Sequence, residues 1–294
     1  MNTNISLSHR KQEPESSVLY IVGTPIGNLD DISARALNIL KNVSMIACED
    51  TRTTSKLLNH FNISNILISF HNYSSSKKSE FLIEKLLDGS SIALVSDAGM
   101  PLISDPGELL VKEVKKKNID IICIPGPCAA LTALVTSGLE SSKFTFYGFL
   151  PRRGKERTII LKSINKSKIT SIVYESPQRI IKLLEELKNI CGGYRNLVLV
   201  KELTKRYEKH FGQTIDEVLL KINSTEPKGE YTLIISGNRD KSDSNESSEK
   251  KLRQDLLDLI NAGLTHKAAS EYLSKRSGKS KNQIYKLILE KDLL

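Results

Sequence analysis

The chain has 294 residues, of which 39% are hydrophobic and 26% charged, a balance that fits a folded globular protein and excludes a disordered one. Its 43 Lys and Arg against 34 Asp and Glu leave a net charge of +9, which points to a polyanionic partner, nucleic acid first, with a merely basic surface as the alternative. Tryptophan is absent and aromatic residues make up 5%, which argues against a protein that stacks a long single strand on exposed rings.

Residues 1–17 are polar, lack the apolar centre of a signal peptide, and read as a disordered N-terminus. No apolar run approaches the length of a membrane span, so a cytoplasmic protein with no membrane partner is expected. From Val18 to Ser137, five apolar runs read as strands: "VLYIV", "SMIACE", "ILISF", "SIALVS" and "IDIICI". They are short and nearly continuous in apolar character, the pattern of strands covered on both faces. Five segments with i, i+3, i+4 apolar spacing alternate with them, which implies a parallel α/β sheet over 18–137 whose ligands bind beyond the carboxyl ends of the strands.

A second α/β domain is read over 138–237. "KFTFYGFL", "KITSIVYES", "NLVLVKEL", "YEKHFGQ" and "EYTLIISG" are its strands, "ERTIILKSI" and "SPQRIIKLLEELKNI" its helices. No full helix is read between the third and fourth strands, so the sheet is expected to be mixed. Residues 238–250 are polar and charged and read as a linker. Over 251–294, two or three short helices with Thr or Ser N-caps and a glycine turn resemble a helix-turn-helix module, with Lys275, Arg276, Lys279 and Lys281 at the turn. Contact with nucleic acid and a solvated basic turn are both open there.

The four cysteines, Cys48, Cys123, Cys128 and Cys191, form no C-x-x-C pair and have no His at ligand spacing. They are expected to be reduced, Cys123 ending a buried strand and Cys128 opening a helix, and no metal is expected. The glycines of "VGTPIGNLDD" lack the dinucleotide spacing, and no Lys-Ser/Thr pair completes a phosphate loop. "LVSDAGMPLISDPGELL", over 94–110, is more informative. Ala98 and Gly99 leave bare backbone against which a ligand can lie, while Pro101 and Pro106 remove donors that a phosphate would need. Carbonyls with a carboxylate beside them suit a cation such as the ammonium and sulfonium of S-adenosylmethionine; a tight βα turn punctuated by proline is the alternative.

Eight motifs in order, "VGTPIGNLDDI", "EDTRTTSKLL", "ALVSDAGMPLISDPG", "PGPCAALTAL", "FYGFLPR", "YESPQRI", "KELTKRYE" and "KGEYTLII", resemble the bacterial ribosomal RNA small subunit methyltransferase I family of the tetrapyrrole methylase superfamily. The resemblance runs over 19–236, and the helical tail matches the family's C-terminal module. It implies a two-domain tetrapyrrole-methylase-like fold (the class III methyltransferase fold), a homodimer, and S-adenosylmethionine held between the two domains. It also implies 2′-O-methylation of a decoding-centre cytidine in 16S rRNA of the small ribosomal subunit, with no DNA partner. By the same resemblance Asp97, Ala98 and Gly99 hold the methionine moiety, Pro101 also belongs to the cofactor site, and Pro125, Gly126 and Pro127 line the cleft. Tyr174, Glu175, Leu203, Glu230, Tyr231 and Thr232 surround the adenosine, and Gly23, Thr24, Pro25 and Asn28 face the acceptor. Met100 stands where the family usually has Thr, Gln178 where it often has His, and Lys201 where many members have Arg. A tetrapyrrole methylase and a non-catalytic RNA-binding assembly factor remain alternatives.

A ribose hydroxyl is weakly acidic, so a group must accept or polarise its proton. Glu49, Asp50, Lys201 and Glu202 are the candidates, with Lys201 favoured: a half-buried lysine can be neutral near pH 7, although Glu202 beside it can hold it charged, and the two can equally be an ordinary pair at the end of a strand. Arg52, Arg152, Arg153, Lys155 and Arg179 are assigned to RNA phosphates, which need only charge and reach.

Overall fold

Three strands with no exposed residue form the middle of the first sheet: β1 (Val18–Val22), β2 (Met45–Cys48) and β4 (Ile92–Val95). The computed structural model describes residues 13–71, 76–223, 227–238 and 244–277, with Ser280 and Ile284. Strands β3 (Leu67–Ser69) and β5 (Asp120–Ile124) close the edges, in the order β3-β2-β4-β1-β5, all parallel. Successive strand residues point to opposite faces. Tyr20, Ile46 and Ala93 therefore join one core with helices α1 (Ala34–Asn42) and α2 (Thr51–His60). Leu19, Met45 and Ile92 join the other, with α3 (Ser76–Leu87) and α4 (Glu108–Lys116).

The second sheet has the order β6-β7-β10-β8-β9, from β6 (Phe144–Phe149), β7 (Thr170–Glu175), β8 (Asn196–Lys201), β9 (Lys209–Thr214) and β10 (Tyr231–Ile235). Only β6 and β7 are parallel, so the sheet is mixed. Helices α6 (Lys155–Lys166), α7 (Ile180–Cys191) and α8 (Ile215–Asn223) cover one face. The other face receives α5 (Ala129–Thr136) through Ala130, Ala133 and Leu134. Both sheets lie within one compact unit, Met1–Gly237, and Asn238–Leu294 form a second.

Three readings change. The β5 run, taken as a buried strand, is an edge, and Cys123 within it is exposed, because the strand is paired on one side alone. Helix α8 was missed; its Ile215, Val218, Leu219 and Ile222 bury a helical stripe between β9 and β10. In the second unit, α9 (Ser244–Asn261) begins inside the segment read as a linker, whose Glu, Ser and Lys residues tolerate helix well. Helix α10 (His266–Ser277) follows Gly263, and Thr265 accepts the Ala268 N–H at 3.3 Å, the cap expected there. The side chains of Lys275 and Arg276, and Lys279 and Lys281 altogether, lie outside the described residues.

Gly23 of the opening loop and Gly126 after β5 serve a close approach of backbones. A Cβ on Gly126 would lie 2.8 Å from the Gly23 Cα, and one on Gly23 would lie 2.7 Å from the Gly126 Cα and 2.6 Å from the Met100 Sδ. Neither backbone can yield as a flexible side chain would. Gly126→Ala is expected to lower stability by about 1–3 kcal/mol, the usual range for overpacking. A urea midpoint unchanged from the parent would contradict this.

Candidate functional site

A cavity of about 320 Å³ opens where the loops after β4 and β5 meet the carboxyl end of β7 and the start of β10. Its N-terminal wall is Ala98, Gly99, Met100 and Asp105; its other wall is Tyr174, Glu175, Glu230, Tyr231 and Thr232. Gly99 sits at φ 83° and forms an isolated antiparallel bridge with Thr24, with N–H···O distances of 2.9 and 3.0 Å. That bridge fixes the bare backbone expected from the sequence. Three carboxylates, Asp105, Glu175 and Glu230, line the cavity, and no Lys or Arg does among the described residues. Ile26, Met100, Ile103 and Phe149 supply apolar surface.

Seven of the residues assigned to the cofactor by resemblance line this cavity: Ala98, Gly99, Tyr174, Glu175, Glu230, Tyr231 and Thr232. Pro101 and Leu203 are buried behind it, Gly126 sits half-buried against Gly23 of the opening loop, and Pro127 is half-buried with its carbonyl near Gly99. Asp97 faces a neighbouring cavity of about 240 Å³, lined also by Thr24, Pro25, Leu29, Thr53 and Lys56. Its Oδ1 accepts the Asp50 N–H at 3.0 Å. The segment 96–100 is thus shared by both cavities, with Asp97 on the side of Thr24 and Pro25. Thr24 itself is buried, its hydroxyl donating to the Ser96 carbonyl at 3.2 Å. Asn28 caps the turn at Leu29–Asp31, and its N–H donates to the Thr204 Oγ1 at 3.1 Å.

Burial pushes the Asp105 carboxyl up to about 6; a hydrogen bond with Ser96 opposes this, and the charges of Glu49 and Asp97 add to it. Burial also raises Glu49, helped by Asp97 and Asp50 and opposed by His71. Hydrogen bonds from Arg52 hold Asp50 at about 2. Burial raises the Tyr174 phenol as well, although its oxygen accepts the Ala130 N–H at 2.9 Å at the start of α5.

Lys201 and Glu202 are neighbours in sequence but not partners. Lys201 lies 5.8 Å over the Tyr231 ring. Glu202, at φ 54°, turns its carboxylate to Lys205 Nζ at 3.0 Å and to the Glu230 N–H at 2.9 Å. Partial burial acts to raise it, but those two contacts outweigh burial and leave it lowered. A Cβ on Gly229 would lie 2.4 Å from this carboxylate, so Glu202 braces the cavity wall and does not line it.

The basic residues divide. Arg152, Arg153 and Lys155 are exposed around the start of α6. Arg52 is exposed and paired with Asp50 at 2.6 Å. Arg179, assigned to phosphate from the sequence, binds the buried Glu175 at 2.5 Å, because the two stand one helical turn apart where β7 ends. Sequence reasoning missed Asp105, Phe149 and Arg157. Asp105 and Phe149 stand inside quoted motifs, which was the available signal. Arg157 is 5% exposed and donates to Glu186 and to the Pro151 carbonyl, and its Nη1 lies 4.0 Å from Glu175.

Among the described residues, no helix is long and apolar enough to cross a membrane, and no group of His, Cys, Asp and Glu is arranged to hold a metal.

The profile of the tetrapyrrole (corrin/porphyrin) methylases matches residues 18–219. A ribosomal RNA small subunit methyltransferase I of Vibrio cholerae serotype O1 is 44% identical over 275 residues, 93% of this chain and 94% of the relative. One from Escherichia coli O157:H7 is 42% identical over 287 residues, 96% and 98% of the two chains. Among solved structures, a cobalt precorrin-4 methyltransferase of cobalamin biosynthesis superposes with a TM-score of 0.54 at 16% identity, covering 75% of this chain and 95% of its own. A diphthine synthase superposes with a TM-score of 0.60 at 14% identity, covering 74% and 90%. Those two likenesses show the fold.

Proposed function

Because the chain belongs to the ribosomal RNA small subunit methyltransferase I family of the tetrapyrrole methylases, we propose that it methylates the 2′-hydroxyl of a decoding-centre cytidine in 16S rRNA. Methyltransferases of this family and superfamily use S-adenosylmethionine. The observation that carries the reading is the lining of the cavity of about 320 Å³: bare backbone, apolar surface and the Asp105 carboxylate, with no Lys or Arg at its surface and with Glu175 and Glu230 paired from behind by Arg179 and Lys205. Such a lining suits a cationic ligand with a flat ring and repels a phosphate.

The donor supplies a methyl group on a positively charged sulfur. In this reading the Ala98–Gly99 backbone and Asp105 hold its charged portion, and Tyr231 and Thr232 its nucleoside portion. The acceptor nucleotide enters beside Thr24 and Pro25, where Asp97 lines the second cavity. Alignment and exclusion of water carry most of the rate. Of the candidate bases, Glu49 is assigned the ribose proton. The exposed Leu131 and Val135 on α5 support pairing with a second copy, which sedimentation velocity would test.

Asp105 makes donor binding depend on pH. Its folded pKa is raised, so its favourable contribution to folding is complete below the unfolded value and is lost as pH rises through about 6. A cation beside it favours the ionised form. Affinity for S-adenosylmethionine is therefore expected to rise as pH passes 6 and then level off, and Asp105→Asn to flatten that rise. Calorimetric titrations at pH 5 and 7.5 that gave equal wild-type affinities would contradict it.

The reading as a whole is tested by incubating the protein with methyl-labelled S-adenosylmethionine and either unmethylated small subunits or uroporphyrinogen. Label is expected in 16S rRNA alone. Label in the porphyrinogen, or in neither, would overturn it.

A further inference from the structure

Beside the donor cavity, a groove of about 690 Å³ is lined by Phe149, Pro151, Arg152, Ser176, Gln178 and Arg179. We propose that it is a subsite for the RNA nucleotide next to the methylated one, with its base stacked on Phe149 and its phosphate on Arg152. This rests on the reading of the site given above. Phe149 and Ser176 line both spaces, so the groove continues from the place where the donor is held.

The fold re-aims Phe149 deliberately. The pairing of β6 with β7 shifts register between Phe146 and Phe149, and Gly148 in that bulge takes φ 61°. A Cβ there would also lie 2.7 Å from the Ser104 Oγ. Bulges of this kind turn a side chain out of its strand's alternation. Tyr174 packs against the ring at 5.6 Å, yet Phe149 remains 57% exposed. An aromatic ring held firm and left in water beside a binding cavity suits a base, which has a π-face whatever its sequence.

Charge separates the two spaces. The donor cavity has three carboxylates and no Lys or Arg, whereas the groove has two arginines and no carboxylate. Arg179 is already bound to Glu175, so Arg152, exposed and without an ion pair among the described residues, is the one available to a phosphate. The exposed Gln178 amide can both donate to and accept from a base edge.

The test measures three quantities on the full chain: affinity for a fluorescent single-stranded RNA by anisotropy, KM for small subunits, and calorimetric affinity for S-adenosylmethionine. Phe149→Ala is expected to weaken RNA binding and raise the KM for subunits at least tenfold, within the roughly 5- to 150-fold range of one base stack. Because Phe149 also edges the donor cavity, the variant's affinity for S-adenosylmethionine is expected to fall as well, but by less than its affinity for RNA. Phe149→Tyr should restore RNA binding to within threefold, and Phe149→Leu should not. Arg152→Ala should lower the salt slope of RNA binding by about 0.7, the value for one phosphate of a single strand. If Phe149→Ala instead weakens the donor tenfold and leaves RNA unaffected, the ring serves the adenine and the proposal is overturned. Phe149→Leu indistinguishable from the parent would overturn it too, as would a salt slope insensitive to Arg152. Since anisotropy needs no methyl transfer, a wild-type protein that binds RNA yet methylates no subunit would sink the reading of the reaction and not the groove.

Discussion

Glu49→Gln is expected to lower kcat by about 10²–10⁴-fold, the usual contribution of a positioned general base, while affinity for S-adenosylmethionine stays within twofold. Asp50, at about 2 through its bonds with Arg52, is too weak a base. Glu202 is committed to Lys205 and the Glu230 N–H, and Lys201 rests over the Tyr231 ring. Glu49 stands half-buried at the carboxyl end of β2, with no hydrogen bond or ion pair to its carboxylate among the described residues. Burial and the charge of Asp97 raise it toward the operating pH, where a general base is most effective. Since the base acts deprotonated, wild-type kcat should climb with pH along its acid limb, and the variant should lose that limb. A Glu49→Gln enzyme within threefold of wild-type kcat would reject the assignment.

The second large effect is on stability. Arg157→Met is expected to cost about 3–5 kcal/mol, the range for removing one partner of a buried ion pair. The Arg157 side chain is 6% exposed and the Glu175 side chain 0%. Arg157 also holds Glu186, with Nε to Oε2 at 2.9 Å, and the Pro151 carbonyl at 2.9 Å. Without it, Glu175 keeps Arg179 and the Ser176 N–H on Oε1, but its Oε2, which accepts no hydrogen bond even in the parent, loses its neighbouring charge. The loop 150–154 loses its anchor to α6 as well. Urea unfolding followed by circular dichroism measures the change; a loss below about 1 kcal/mol would show that Arg179 alone neutralises Glu175.

The arrangement of strands was legible where burial is complete. The runs of β1, β2 and β4 are apolar without interruption because helices cover both their faces. β5 looks the same in sequence, yet it is an edge; isoleucine favours strands whether or not a neighbour pairs with them. Helix α5 is apolar almost all round, so its pattern does not say which sheet it covers, and it covers the second. Helix α8 had a readable stripe that was absorbed into a strand connection.

The loops of the site were legible for a physical reason: parallel strands present their carboxyl ends together, and the glycines and prolines gather there. The side of the loop each residue faces was not. Ala98 and Asp97 are adjacent and line different cavities. Nor could the sequence distinguish Glu202 as a brace, since that depends on a left-handed turn at φ 54° and the absence of a Cβ on Gly229.

A crystal of this chain grown with S-adenosylhomocysteine would settle whether the cavity between the sheets takes the donor. The ligand is expected there, its amino acid end against the Ala98–Gly99 backbone and its nucleoside against Tyr231 and Thr232. Density for it anywhere else, or an empty cavity at saturating ligand, would contradict the assignment.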